Sequence, residues 1–173
     1  MQETLTRIKP EDLNNHFWQF ANHVYAIEEV SKALLELQDL YAENVCFILY
    51  LLWLLQQEYE LDVTTLLNMK LLAETFEHAF IAPIRSSRRQ QKTFALDTGL
   101  YAQTKALELA LEQQLIAILY MEHKNNSASQ QSNKGIDEKT LLTTLKQIYA
   151  DNGKGEILIK IISLQQCIRI KCG

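Results

Sequence analysis

Glycine and proline are scarce in this sequence, at five and two of 173 residues. A β-sandwich or barrel needs many tight turns, which these two residue types usually supply. The shortage therefore favours long helices joined by short connections. With 47% hydrophobic and 22% charged residues, the chain has the composition of an ordinary globular protein with one good core.

The small number of cysteines excludes a disulfide framework. Three is an odd number, and the spacing of Cys167 and Cys172 fits neither a zinc site nor a redox motif. Cys46 lies inside an apolar run, where a small thiol is typical of a buried position.

Long apolar runs are also missing. The longest is the eleven-residue segment Val45–Leu55, which as a helix would extend ~16 Å, about half of a bilayer's ~30 Å hydrocarbon core. This segment is too short to span a membrane. We therefore expect no membrane span and a cytoplasmic location.

Recognisable catalytic motifs are lacking as well. Glu74 and His78 stand one helical turn apart, but a zinc site needs a third ligand, and the His-x-x-Glu-His pattern requires histidine where Glu74 stands. His16 and His23 lack the Glu-x-x-His motifs of a dimetal helix bundle. A nucleophile elbow, a phosphate loop and a dinucleotide fingerprint are missing too. We predict no catalytic residue, no metal ligand and no cofactor.

What the sequence does contain is helical patterning. Pro10 suits a first helical position, and apolar residues then recur at helical spacing as far as Val24. A second helix is predicted from about Glu28 to Leu40. Asp62 is a candidate N-cap for a further helix, which we expect to end before Pro83, because the residue before a proline disfavours helical backbone.

The segment Val45–Leu55 is apolar all round, and a helix of this kind belongs in the interior. Asn44 is its candidate N-cap. We predict that this segment is the central helix of a single all-α bundle, in which Tyr50 and Trp53 would each need a hydrogen-bond partner. A surface kept for self-association is the alternative, so a homo-oligomer remains open.

The remaining sequence divides into three parts. A helix is predicted from about Asp97 to His123. The segment Lys124–Gly135 contains no large apolar residue and is interpreted as a mobile linker. In the tail, residues 154–173, helical spacing competes with strand-like alternation, and we favour helix because an isolated strand would have no pairing partner. The predicted domains are a bundle at 10–123, a linker at 124–135, and a C-terminal helix and tail at 136–173.

Charge is distributed unevenly along the chain. Residues 1–84 hold 4 basic and 13 acidic residues, whereas residues 85–173 hold 13 and 8. Four of the basic residues recur at i, i+3, i+4 and i+7, within about 100° of one helix face: Arg85, Arg88, Arg89 and Lys92. The favoured interpretation is that these charges are solvated or are paired with acidic residues of the same chain, across the two halves. The functional alternative is that these four residues bind an anion or a partner.

Several short patterns occur in order along the chain. They are Phe17-Trp18, Leu37-Gln38-Asp39, Asn44 with Leu52-Trp53-Leu54, and Pro83-Ile84-Arg85 with Arg88-Arg89 and Lys92. Together, over about residues 13–95, they resemble a bacterial family of small proteins known mainly as a domain of unknown function. The resemblance implies an all-helical, cytoplasmic bacterial protein and assigns no activity.

The predicted function is protein binding, by an adaptor or regulator that uses the basic face and the tail. A nucleic-acid or phosphoanion binder using the same face is the alternative, although the net charge of −4 disfavours general nucleic-acid binding. An enzyme without a recognisable motif ranks third. Gln38, Asp39 and Asn44 are interpreted as capping or connecting residues, with a ligand pocket as their alternative role.

Overall fold

The computed structural model describes residues 8–57, 62–94, 98–129, 138–150 and 153–172. Within these ranges the chain forms helices and no strand, which confirms the all-α prediction. After a 3₁₀ helix at Pro10–Asn14, the α-helices are α1 His16–Tyr25, α2 Glu28–Tyr41, α3 Val45–Gln57, α4 Val63–Phe76, α5 Ala82–Thr93, α6 Thr98–Ser129, α7 Glu138–Leu145 and α8 Gly155–Cys172. Two π-helical turns, Glu77–Ile81 and Lys146–Ala150, follow α4 and α7. No helix within the described ranges combines the length and apolar character needed to cross a membrane.

Helix α3 is the centre of the bundle. All of its residues from Cys46 to Leu55 are buried, and α1, α2, α4, α6 and α8 pack against it. Asn44 caps the helix, because its Oδ1 accepts a hydrogen bond from Phe47 N at 2.8 Å. The buried Tyr50 hydroxyl lies 3.1 Å from Nδ1 of His123. The prediction of a central, capped, buried helix is confirmed.

The first predicted helix is in fact two elements. Pro10–Asn14 is a 3₁₀ turn, and α1 begins only at His16, because Asn15 has an extended backbone with ψ of 172°. The Asn15 side chain accepts a hydrogen bond from Trp18 N at 2.8 Å. Asparagine thus stops one helix and caps the next, which apolar spacing alone does not reveal.

Helices α4 and α5 form one continuous rod through the π turn, so the predicted helix end before Pro83 is wrong. The start is right, since Asp62 accepts a hydrogen bond from Thr65 N at 2.9 Å. Proline lacks an N–H group, and its ring clashes with the carbonyl four residues earlier in an α-helix. The wider hydrogen-bond ring of the π turn Glu77–Ile81 lets the chain continue past the proline. Helix α5 then packs along α6.

Helix α6 extends to Ser129, six residues into the segment predicted as a mobile linker. A polar segment can extend an existing helix, since each added residue gains a backbone hydrogen bond and needs no buried face. For 124–129 the linker prediction is therefore wrong, and residues 130–135 lie outside the described residues.

The tail forms helix α8, so the favoured helical prediction is confirmed over the strand alternative. Its buried side chains join the same core as α3: Ile157, Leu158, Ile161, Leu164 and Ile168. Basic residues of α8 pair with acidic residues of α2, with Lys160 Nζ 2.9 Å from Glu36 Oε1 and Lys171 Nζ 2.6 Å from Glu29 Oε2. The two halves of opposite charge thus pack on each other, as predicted.

Candidate functional site

The four predicted site residues all lie on α5, but their surroundings differ. Arg85 and Arg88 hydrogen-bond to residues of α6, Arg89 reaches α2, and Lys92 is exposed. One helix face therefore contributes both to a buried contact and to the surface.

Arg85 is the most enclosed of the four, with 11% of its side chain exposed. Its Nε donates to Glu108 Oε1 at 2.8 Å, and its Nη2 donates to Glu112 Oε1 at 3.1 Å. Its Nη1 donates to Glu77 Oε1. With the Gln38 amide oxygen turned toward the guanidinium, that oxygen accepts from Nη1 and Nη2 at 3.1 and 3.2 Å. Arg85 is thus the hub of an ion cluster, which consists of Arg85, Arg88, Glu77, Glu108 and Glu112.

The π turn places Glu77 between two parts of the fold. One oxygen of its carboxylate accepts a hydrogen bond from Arg85 Nη1, and the other accepts a hydrogen bond from Asn44 Nδ2 at 3.1 Å. The residue that caps α3 is therefore connected through Glu77 to the ion cluster. The predicted capping role of Asn44 is confirmed, and it holds the cluster in position as well.

Arg88 shares Glu108 with Arg85. Its Nε donates to Glu108 Oε2, and its Nη2 lies 3.3 Å from Oε1. Its Nη1 lies 3.4 Å from the Tyr101 hydroxyl, and its Cζ lies 6.0 Å from the centroid of that ring. The hydrogen bond to Glu108 is the main reason that the pKa of Arg88 lies above its ordinary value.

Glu108 and Glu112 are one helical turn apart on α6 and both contact Arg85, yet their pKa values move in opposite directions. Burial favours the neutral form of Glu108, but hydrogen bonds from Arg88 and Arg85 outweigh it and lower the pKa. Burial prevails at Glu112, which contacts Arg85 alone, and raises the pKa. Glu108 has two guanidinium partners, whereas Glu112 has one and is also repelled by the charges of Glu108 and Glu77, and both differences contribute to the contrast.

The other two predicted residues lie at the surface. Arg89 Nη2 lies 2.8 Å from Asp39 Oδ1, with more than half of each side chain exposed. Lys92 forms no ion pair with any residue that the structure describes. Internal pairing is therefore observed for Arg85, Arg88 and Arg89, whereas binding of an anion or a partner by the four residues remains a prediction.

A groove of about 530 Å³ lies beside the ion cluster, lined by residues of α1, α2, α3, α5 and α6. Apolar side chains from the bundle interior include Val45, Cys46, Leu49 and Ile116. Aromatic residues are Trp18, Tyr25 and Tyr101. Charged residues are Arg85, Arg88, Arg89, Lys105, Glu108 and Glu112. This volume is within the usual range of ligand pockets, ~300–1,000 Å³.

The composition of the groove decides what it can recognise. Four cationic and two acidic side chains line the groove, and two carboxylates outside the lining, Glu77 and Asp39, pair with Arg85 and Arg89, so the local charges balance. The exposed cations of the lining are Arg89 and Lys105. Apolar and aromatic surfaces lie next to these charges. The arrangement suits a ligand or peptide segment that has an apolar part and an acidic group.

Sequence reasoning missed much of this groove. Trp18 and Tyr25 lie seven residues apart on one face of α1, and Tyr101 and Lys105 are four apart on α6. Those spacings are visible in the sequence, but the two pairs belong to separate helices, and their meeting in one groove depends on how the helices pack. Gln38 and Asp39, interpreted as connecting residues, contact Arg85 and Arg89 instead.

The histidines considered for metal binding do not come together. Glu74 pairs with Lys70, with 2.9 Å between Oε1 and Nζ, and His78 is exposed. Within the described parts of the chain, no group of three His, Cys, Asp or Glu side chains is placed to hold a metal ion.

The fold and the groove define an all-α protein with a ligand-sized recess between its helices. The chain belongs to the family described as "Protein of unknown function (DUF2390)", whose model matches residues 16–119. Every residue that lines the groove, from Trp18 to Ile116, falls inside that match. The prediction of an uncharacterised domain family is confirmed. Comparison with curated proteins and comparison with solved structures gave no match.

Proposed function

We propose that this protein is an adaptor or regulator that binds an acidic segment of a partner protein in the groove. The observation that carries the proposal is the position of two exposed cations, Arg89 and Lys105, in the lining of an apolar recess. Acidic residues of a partner would meet the cations, and neighbouring apolar residues would enter the recess.

The cations of the groove are not equally available. The guanidinium groups of Arg85 and Arg88 are held by the carboxylates of the ion cluster. Among the described residues, Arg89 forms an ion pair with Asp39 alone, and exposed pairs of this kind contribute little to stability. Lys105 is exposed and makes no ion pair with any described residue. Arg89 and Lys105 are therefore the two positions where an incoming carboxylate gains most.

Apolar side chains at the groove support a protein partner. Tyr25, Leu35 and Leu109 line it and remain 40%, 43% and 53% exposed. Large apolar side chains that stay exposed beside polar ones are typical of interaction sites. A purely electrostatic ligand would leave these three side chains in water.

Nucleic-acid binding through the basic face has less support. Phosphate contacts need free cations along an extended surface, but Arg85 and Arg88 are already saturated by acidic partners. The overall charge of −4 also opposes a polyanion.

The proposal is tested by selecting peptides from a random display library on the folded protein. We expect enriched peptides to combine an acidic residue with an aromatic or aliphatic neighbour. The double variant Arg89→Glu with Lys105→Glu should abolish enrichment, because both available cations are reversed.

The matched control is Lys32→Glu, a charge reversal on α2 at an exposed residue that does not line the groove. It should leave the selection unchanged. Equal enrichment on the wild-type protein and the double variant, or selection of peptides without acidic residues, would refute the proposal. A melting curve of each variant verifies that it is folded.

A further inference from the structure

A second pocket, of about 490 Å³, opens at the other end of the α1, α3 and α6 contact. We call it the aromatic pocket, because its walls include Phe20, Trp53 and Tyr120. The lining also includes the imidazoles of His16 and His123 and the ammonium group of Lys124. None of its residues lines the groove, so the two sites are separate.

The walls are held in a fixed arrangement. The Trp53 ring lies 5.8 Å from the Tyr120 ring and 5.0 Å from the His123 imidazole, measured between centroids. His123 is itself 4% exposed, and its Nδ1 lies 3.1 Å from the Tyr50 hydroxyl. Burial lowers the pKa of His123 to about 4, so the imidazole is neutral at physiological pH. Trp53 is also 4% exposed, and its ring stacks on Phe17 with 5.3 Å between centroids. The rings of Trp53 and His123 therefore form a fixed, uncharged floor, and the partly exposed rings of Phe20 and Tyr120 form the walls.

Among the residues that the structure describes, those that line the pocket include a cation and no acidic residue. Lys124 places its Nζ 5.7 Å from the centroid of the Tyr120 ring. A cation beside aromatic faces, without a carboxylate in the lining, is complementary to a ligand that is flat at one end and anionic at the other.

We propose that the aromatic pocket binds a nucleotide-like ligand, whose planar heterocycle packs against Phe20 and Tyr120 above the Trp53 floor and whose phosphate pairs with Lys124. Stacking on aromatic side chains is the common way to bind a heterocycle. Lysine binds phosphate as a point charge without demanding one orientation. The side-chain amide of Gln57, also in the lining, supplies a donor and an acceptor for the edge of the ring.

The test is isothermal titration of the full chain with adenosine monophosphate and with flavin mononucleotide. We expect saturable binding of at least one of them. Ribose 5-phosphate, which lacks the ring, and the nucleoside without its phosphate should each bind at least tenfold more weakly.

Two lysines on α6 provide matched variants, since both are exposed and one lies at each site. Lys124→Glu should weaken binding of the phosphorylated ligand at least tenfold and leave the nucleoside unaffected. Lys105→Glu, in the groove, should change neither. In a Trp18→Phe background, Trp53 is the single tryptophan, and its fluorescence should respond to the ligand.

Two results would overturn the proposal. One is the absence of saturable binding by both nucleotides at millimolar concentration, with a normal melting curve. The other is a loss of binding in Lys105→Glu but not in Lys124→Glu, which would place the ligand in the groove. The peptide selection uses different ligands and different variants as its readout, so failure of this inference and failure of the proposed function are distinguishable.

Discussion

The two ends of α6 are buried in different ways. Toward its N-terminus, Glu108 and Glu112 face α5 and are held by guanidinium groups. Toward its C-terminus, Leu115 to Leu119 and His123 are buried among apolar and aromatic side chains of the core. Directional, charged hydrogen bonds fix the side chains at the first end. Close packing of apolar surfaces fixes them at the second. One helix thus supports a groove beside the ion cluster and an aromatic pocket whose buried imidazole is uncharged.

Apolar packing and the ion cluster contribute differently to the fold, the first mainly to stability and the second mainly to the orientation of side chains. Removing ions from water is costly, so a buried ion cluster contributes little net stability compared with apolar packing. Once formed, however, it fixes side-chain positions and is strongly disrupted when one member is lost. The charged end should therefore respond sharply to single substitutions, and the aromatic end to acid through His123.

The largest expected effect is at Arg85. Arg85→Met leaves three carboxylates facing one another without their shared cation, those of Glu77, Glu108 and Glu112. We expect the free energy of unfolding, measured by urea denaturation at neutral pH, to fall by ~3–5 kcal/mol. Lys32→Met, at an exposed position, should change it by less than about 0.5 kcal/mol. A loss below about 1 kcal/mol at Arg85 would show that the carboxylates tolerate its removal, and the comparison would fail.

The second effect tests the aromatic end by pH. Burial lowers the pKa of His123 from 6.5 to about 4, so the unfolded chain takes up the proton first as pH falls. This contribution to stability is complete above about pH 6.5 and is lost progressively toward pH 4, by a total of about 3 kcal/mol. Subtracting the profile of His123→Gln from that of the wild type should isolate this slope. Parallel profiles for the two proteins would contradict it.

The third effect contrasts two carboxylates of the charged end. Glu108→Gln should lower the free energy of unfolding at pH 7 by ~2 kcal/mol, because it weakens charged hydrogen bonds to Arg85 and Arg88. Glu112→Gln should cost less than about 1 kcal/mol, because burial already disfavours its charge.

The two carboxylates contribute to stability with pH dependences of opposite sign. The contribution of Glu108, whose pKa is lowered in the folded protein, is complete above its ordinary value of 4.5 and is lost as pH falls through the folded value. Glu112, whose pKa is raised, binds a proton more readily when folded, so it adds stability as pH falls toward 4.5. Unfolding measured from pH 3 to 8 distinguishes them, and identical profiles would remove the proposed difference.

Some of the fold could be predicted because it depends on local composition. An apolar segment such as Val45–Leu55 favours the interior, and Asn44 and Asp62 cap helices through atoms three residues away. The passage through Pro83 could not be predicted, because the π turn depends on the packing of the whole rod. The end of α6 was missed because polar composition does not exclude helix.

The candidate site was predictable only in part, for a similar reason. The spacing of Arg85, Arg88 and Arg89 placed them on one face, but their partners lie far along the chain. Arg85 and Glu108 are 23 residues apart, and Arg89 and Asp39 are 50 apart. Such pairs follow from how helices pack, which one sequence does not specify. The aromatic pocket was missed because Phe20 and Trp53 belong to the apolar stripes of separate helices.

The smallest expected effect lies one turn beyond Arg85, where Arg89 pairs with Asp39 at the surface. A double-mutant cycle with Arg89→Gln and Asp39→Asn should give a coupling of ~0.2–1 kcal/mol, since both groups remain in water. The coupling should shrink when salt rises from 0.05 to about 0.5 M, because screening acts on exposed charges. A salt-independent coupling above about 2 kcal/mol would mean that Arg89 belongs to the ion cluster. It would then be unavailable to the acidic partner segment, and the groove would retain only Lys105 as a free cation.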